Sequence, residues 1–243
     1  MRIFLLVTLF ALVLPLFAAG SIDIEMGTAD NVRNVFRIPG AGGTRVSLPT
    51  ELQVNNITYE RVRVNYLPNE HTTWSVLYAP LKFHASGVSS QLINFDTVSF
   101  PAGTALEGSY KFNSYRLSYT YVAHPERAIS FGYGYTLKVR DAAIALNSGN
   151  TSAESSNVGL VPLLNFRVDW KLDNHSKITL DGDALVAPMG RAEDVALAYR
   201  YAVTPETTVR ITYRILEGGA DNDKVYNFAQ VNYIGMGLEY KFK

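Results

Sequence analysis

A chain of 243 residues with 22 basic and 22 acidic side chains carries no formal net charge, so no overall basic field draws it to nucleic acid. Cysteine is absent, which excludes a disulfide framework and a thiolate metal site. A mean hydropathy of +0.02 lies far below that of a bundle of membrane-spanning helices.

The N-terminus has the three parts of a secretory signal: a positive charge at Arg2, an apolar stretch from Ile3 to Leu16, and small residues at Ala18, Ala19 and Gly20. Residues 1–20 are therefore expected to be cleaved, leaving residues 21–243 as one domain. The apolar stretch is shorter than the roughly 20 residues a helix needs to cross hydrocarbon, which argues against a permanent anchor.

From Ser21 onward, alternating runs between turns predict ten strands, over 21–28, 56–66, 73–84, 106–122, 128–142, 156–172, 177–187, 193–203, 207–217 and 227–243. Tight turns at Leu67 to His71, His124 to Arg127, Asp173 to Ser176 and Thr204 to Glu206 carry the proline and Asx residues that favour them. The opposite ends carry the longer links 29–55, 85–105, 143–155, 188–192 and 218–226. The first strand is short, and the third is apolar on both faces, so its phase stays open; eight strands are the alternative count.

The alternation has a physical direction. In the fifth strand Ile129, Phe131, Tyr133, Tyr135, Leu137 and Val139 share one face, while Ser130, Gly132, Gly134, Thr136, Lys138 and Arg140 share the other. The sixth, eighth, ninth and tenth strands repeat this, the eighth with Asp194 and Arg200 inward and the last with Ile234, Met236, Leu238, Tyr240 and Phe242 against Tyr233, Gly235, Gly237, Glu239 and Lys241. An apolar exterior and an ionic interior suit a barrel with hydrocarbon outside; a soluble lipid-carrying barrel has the reverse phase. Only a closed barrel lets strands satisfy their backbone groups inside a bilayer.

The signal peptide, the alternating strands, the short turns on one rim and the ending Leu238-Glu239-Tyr240-Lys241-Phe242-Lys243 together resemble the small bacterial outer-membrane β-barrel proteins. Lys243 stands where that family usually ends on an aromatic. The stretches 108–116 and 216–228 look like those of members without assigned activity. The resemblance implies an all-β, antiparallel up-and-down transmembrane barrel in the bacterial outer membrane. It also implies a monomer inserted by the barrel-assembly machinery, in contact with outer-membrane lipid and lipopolysaccharide, with no nucleic-acid partner.

The predicted inner face gathers charge. Asp23 and Glu25 are expected beside Arg61 and Arg63, and beside Glu239 and Lys241. Asp181 and Asp183 are expected to face Arg167, Lys171 and Arg200; Asp169, Arg116, Lys138, Arg210 and Arg214 add to the network. Charges in a narrow lumen must be paired or hydrated. The network either fills and stiffens the barrel or lines a narrow, porin-like path, and the bulk of the arginines favours filling.

Other chemistry is thinner. His84 and Ser86 lie two apart on one face, so the imidazole suits a general base for the hydroxyl, an arrangement that resembles outer-membrane lipid A deacylases. Gly87 replaces the following Asn of that pattern, and Asp96 is the nearest carboxylate in sequence. An enzyme is therefore the weaker reading. An omptin-like protease is weaker still, because Asp181 and Asp183 sit low on their strand. His71, His124 and His175 fall in separate turns and form no metal set, so neither metal nor cofactor is expected. The acidic run from Glu217 to Asp223 reads as an exposed turn, and Gly40 to Thr44 as a flexible loop. Arg33, Arg37 and Arg45 are placed to meet lipopolysaccharide phosphates. A surface adhesin would use links 29–55 and 85–105, with Phe36, Phe95 and Phe100 as contact residues.

Overall fold

The computed structural model describes residues 19–188 and 190–242. The expected signal peptide lies outside the described residues except for Ala19 and Gly20, and Gly20 opens the first strand.

Ten antiparallel strands close into a barrel. They are β1 (Gly20–Arg37), β2 (Ile57–Tyr66), β3 (Thr72–Ala79 and Lys82–Val88), β4 (Ala105–Ala123), β5 (Ile129–Ser148), β6 (Thr151–Lys171), β7 (Ser176–Ala187), β8 (Gly190–Ala202), β9 (Thr207–Asp221) and β10 (Tyr226–Phe242). Each pairs with its sequence neighbours, and β1 pairs with β10 from Gly20↔Phe242 to Arg37↔Tyr226. That seam removes the free edges of the first and last strands. The two segments of β3 keep one register on β4, Ala79↔Ser114 and Lys82↔Lys111, across a break at Pro80, which has no amide to donate. The eight-strand alternative is thereby excluded.

The period-two pattern sorts the side chains as hydrocarbon demands. Met26, Phe131, Tyr135, Leu164, Ile211, Ile234 and Met236 are exposed on the outside, while Asp23, Glu25, Arg116, Arg200 and Arg214 are buried inside. The phase of β3 is set by its register: Trp74, Val76 and Tyr78 stand opposite Tyr119, Leu117 and Tyr115 on the outer face, and Leu77 and Ala79 point inward. Placing an arginine at Met236, in the middle of the outward row of β10, is expected to cost about 2–4 kcal/mol. Urea titration in lipid vesicles measures that loss.

Three sequence expectations are corrected. β1 is not short: it runs to Arg37, and a register shift between Asn31 and Arg33 opposite β10 inserts one extra residue. Such a bulge exchanges the inner and outer faces. Below it Asp23, Glu25 and Ala29 are buried; above it Asn34 and Phe36 are. Links 143–155 and 188–192 are not loops but hairpins, pairing Ser148↔Thr151 and Ala187↔Gly190. Strands β4, β5 and β6 are far longer than the roughly ten residues that cross hydrocarbon, so they rise above the apolar belt as a wall. β6 pairs with β7 only from Leu164 to Lys171, so Thr151–Leu163 lean on β5 alone. Pro162, without an amide proton, stands where that ladder stops.

The turns at the opposite rim are ordered by their own side chains. In 172–176, Asp173 Oδ1 accepts the amides of His175 at 2.7 Å and Ser176 at 2.8 Å, and Oδ2 accepts the Ser176 hydroxyl at 2.5 Å. The Ser176 hydroxyl first, then these amides, hold the Asp173 carboxyl below its ordinary range.

The outer half of the barrel holds an apolar core built from both wall and links. Phe83, Leu106, Tyr110, Ile144, Leu146 and Val231 come from the strands. Ile38, Val46, Leu48, Leu52, Ile93, Phe95 and Phe100 come from the links after β1 and β3, which fold inward as a plug. The plug contains one helical turn, α1 (Leu48–Glu51), and a small hairpin pairing Ile93↔Phe100. The Asp96 amide donates to Ile38 O at 2.8 Å and the Thr44 amide to Asn94 O at 2.9 Å, joining the two links. Phe36 and Phe95 meet edge to face at 5.6 Å. The glycine-rich stretch is part of this cap, with the Ala41 amide donating to Asp223 O at 3.0 Å.

Candidate functional site

The inner half of the lumen is an ionic lattice spanning the barrel. Alternation puts each charge inside, and register then decides its wall neighbours: Asp23 stands opposite Arg63 and Glu239, and Glu25 opposite Arg61 and Gly237. The side chains reach past these neighbours. Glu25 accepts Arg210 Nη2 at 2.8 Å and the Tyr59 hydroxyl at 3.0 Å, and Arg214 Nε lies 3.5 Å away. Asp23 pairs with Arg210, and Arg200 bonds Glu239 at 2.5 Å.

The centre of the lattice is Asp194 on β8. Three arginines from three strands converge on it: Arg214 at 2.7 Å, Arg116 at 2.5 Å and Arg61 at 3.3 Å. Arg116 also bonds Asp183 at 2.7 Å, and Asp183 takes the Thr136 hydroxyl at 2.5 Å and Asn165 Nδ2 at 3.0 Å. β2 and β4 lie across the barrel from β8, so these pairs tie opposite walls together. Asp194 was readable as inward-facing; nothing in strand periodicity shows that it is the common partner.

Several predicted partners differ. Asp183 meets Arg116 across the lumen, not Arg167 or Arg200. Arg167 instead grips Asp169 on its own strand, with Nε at 2.9 Å and Nη2 at 3.1 Å. Lys171 donates to Pro125 O at 2.7 Å in a turn, outside the lattice. Lys241 is exposed at the same rim. Arg63 and Asp181 line the remaining space and make no ion pair among the described residues. Lys138 lies 4.4 Å from the Phe112 ring centroid and likewise takes no carboxylate among them.

The small inner face of β10 makes room for the lattice. A Cβ at Gly235 would strike the Tyr59 hydroxyl that holds Glu25, and one at Gly237 would strike the Arg210 guanidinium. Glycine at these positions gives two lattice members room to cross the wall. Two cavities among these side chains measure about 20 and 30 Å³, enough for individual waters. Arg61, Arg116 and Arg214 occupy the bore, and the plug covers it from outside.

His84 and Ser86 project outward from upper β3, opposite Ser109 and Glu107 of β4. Among the described residues no hydrogen bond joins the His84 imidazole to the Ser86 hydroxyl. Asp96 sits in the plug hairpin. Phe36, Phe95 and Phe100 are 0–1% exposed, which removes the contact surface assigned to them.

No family model matches this chain, and no curated protein matches it in sequence. Among solved structures it is similar to the outer-membrane protease OmpT from Escherichia coli, with a TM-score of 0.54 and 12% identity over 92% of this chain and 97% of that one. It also aligns with Ail of Yersinia pestis, solved with the heparin analogue sucrose octasulfate, at a TM-score of 0.40 and 13% identity, covering 92% and 99%. OprG from Pseudomonas aeruginosa aligns at 0.38 and 14%, covering 93% and 97%. In fold, with its closed antiparallel wall, apolar exterior and ionic interior, the chain is similar to the bacterial outer-membrane β-barrel represented by OmpT.

Proposed function

We propose that the protein is a closed, non-conducting barrel of the Gram-negative outer membrane, whose interior is structural and whose working surface is its outer wall and extracellular rim. One observation carries this reading: the lumen is blocked twice, by the Asp194 lattice in its inner half and by the apolar plug in its outer half. A path for solute needs continuous water, and the cavities between the arginines are of single-water size. The signal-like N-terminus fits export to the periplasm, and the aromatic-rich last strand fits insertion by the barrel-assembly machinery. The sealed β1–β10 seam fits a monomer in contact with lipid and lipopolysaccharide. In planar bilayers in molar KCl the purified protein is expected to give no discrete conductance steps. Steps of constant size would overturn the reading.

A further inference from the structure

Above the apolar belt the outer wall of β8, β9, β10 and β1 changes character in three successive rows. Val195, Ile215 and Asn232 end the belt in register. The first row above is Glu193, Glu217, Gln230 and Arg33. The second is Arg191, Gly219, Phe228 and Val35, and the third Asp221, Tyr226 and Arg37. The bulge in β1 turns Arg33 and Arg37 outward. At roughly 3.3 Å per residue along a strand, the rows begin at the boundary where hydrocarbon gives way to headgroups.

These side chains are organised in two tiers. In the lower tier Glu217 takes Arg33 and Arg191, the latter through Nε and Nη2 at 2.7 Å each, and Arg191 lies over Phe228 at 5.5 Å. In the upper tier Arg37 and Arg45 lie 5.5 and 5.2 Å from the centroid of one ring, Tyr226, and Arg45 Nη2 donates to its hydroxyl at 3.3 Å. Neither Arg37 nor Arg45 has a carboxylate partner among the described residues, and the nearby acids Glu193 and Asp221 pair with neither. Arg37 Nε is buried without a hydrogen-bond partner. Two guanidiniums gathered on one ring repel each other unless an anion joins them, and a guanidinium fork matches phosphate.

We propose that Arg37, Arg45 and Tyr226 form a clip for the phosphates of the phosphorylated glycolipid that fills the outer leaflet around the barrel. Arg191 and Arg33 stand pre-aligned beneath it on Glu217. The clip looks sideways from the wall in the third row above the apolar belt, with Arg33 and Arg191 in the rows between, so an anion held there lies beside the barrel rather than over its mouth. This rests on the outer-membrane orientation proposed above, and it is independent of whether the lumen conducts.

The test uses the full mature barrel in nanodiscs and native mass spectrometry with two probes, bisphosphorylated lipid A and its dephosphorylated form. Arg37→Gln/Arg45→Gln is compared with Arg127→Gln, which removes a charge from the opposite rim. A folded-form gel shift shows that each variant has closed. The expected result is at least tenfold weaker retention of phosphorylated lipid A by the double variant, none by the control, and poor retention of the dephosphorylated form by all. Equal retention of both lipids, or an unaffected double variant, would overturn the clip. Displacement of the lipid by millimolar inorganic phosphate would overturn the choice of a lipid. Conductance by a barrel that still loses lipid A on substitution would refute closure and leave the clip standing.

Discussion

Asp194→Ala is expected to lower the stability of the folded barrel by about 3–5 kcal/mol, the cost of removing one partner from a buried ionic group. The size follows from what is left behind. Arg61, Arg116 and Arg214 are each about 5% exposed, and among the described residues Asp194 is the one carboxylate with which all three form ion pairs. Arg116 keeps Asp183 and Arg214 keeps a 3.5 Å contact with Glu25. Arg61 has no other ion pair among the described residues, so most of the penalty falls there. Asp194→Asn keeps the shape and some hydrogen bonds but loses the charge, and should fall between the two. Replacing Asp194 and Arg61 together should recover part of the loss, because the stranded cation goes with its partner. Equilibrium unfolding in urea with lipid vesicles reads all three. A change below about 1 kcal/mol for Asp194→Ala would mean that water already hydrates the lattice.

Phe83→Ala is expected to cost about 3–5 kcal/mol, within the range for emptying a large buried aromatic site. Phe83 is fully buried where the upper segment of β3 meets the plug. The loss should be local. The plug segments are held by apolar packing and a few hydrogen bonds such as Thr44 to Asn94. The lower strands are held by full ladders and by the lattice. Hydrogen exchange should therefore show Asp96 and Leu52 amides losing protection while amides of β9 and β10 keep theirs. Equal loss throughout would show that plug and barrel unfold as one unit.

The two halves of the molecule were unequally legible for physical reasons. Alternation in β5, β8, β9 and β10 reports the solvent on each side of the wall, and the structure keeps those phases because a charge facing lipid is costly. Local register was within reach as well, since Asp23 and Glu25 stand opposite Arg63 and Arg61. Contacts across the lumen were not, because they depend on strand tilt and stagger around the whole barrel; hence Asp194 was visible as an inward residue but not as a hub. The end of β1 is not legible because the outward residues Thr28 and Asp30 are polar, which breaks the alternation, and the bulge near Val32 then reverses the phase. The plug was invisible for a related reason. Phe36, Phe95 and Phe100 lie in segments with broken or short periodicity, and an irregular aromatic segment reads the same whether it faces solvent or a mouth it can fill.

The most direct measurement of the account is methyl NMR of the mature barrel in lipid nanodiscs, with a soluble gadolinium chelate as the water-side probe. Met26, Ile211 and Met236 are outward, and Ala196 and Ala198 are inward at 1% and 2% exposure. The outward methyls should show cross-peaks to acyl-chain protons, and none of the five should broaden with the chelate. Broadening of Ala196 or Ala198 would reveal a water-filled bore, and broadening of Ile211 or Met236 would place that face in water; either result contradicts a sealed barrel standing in lipid.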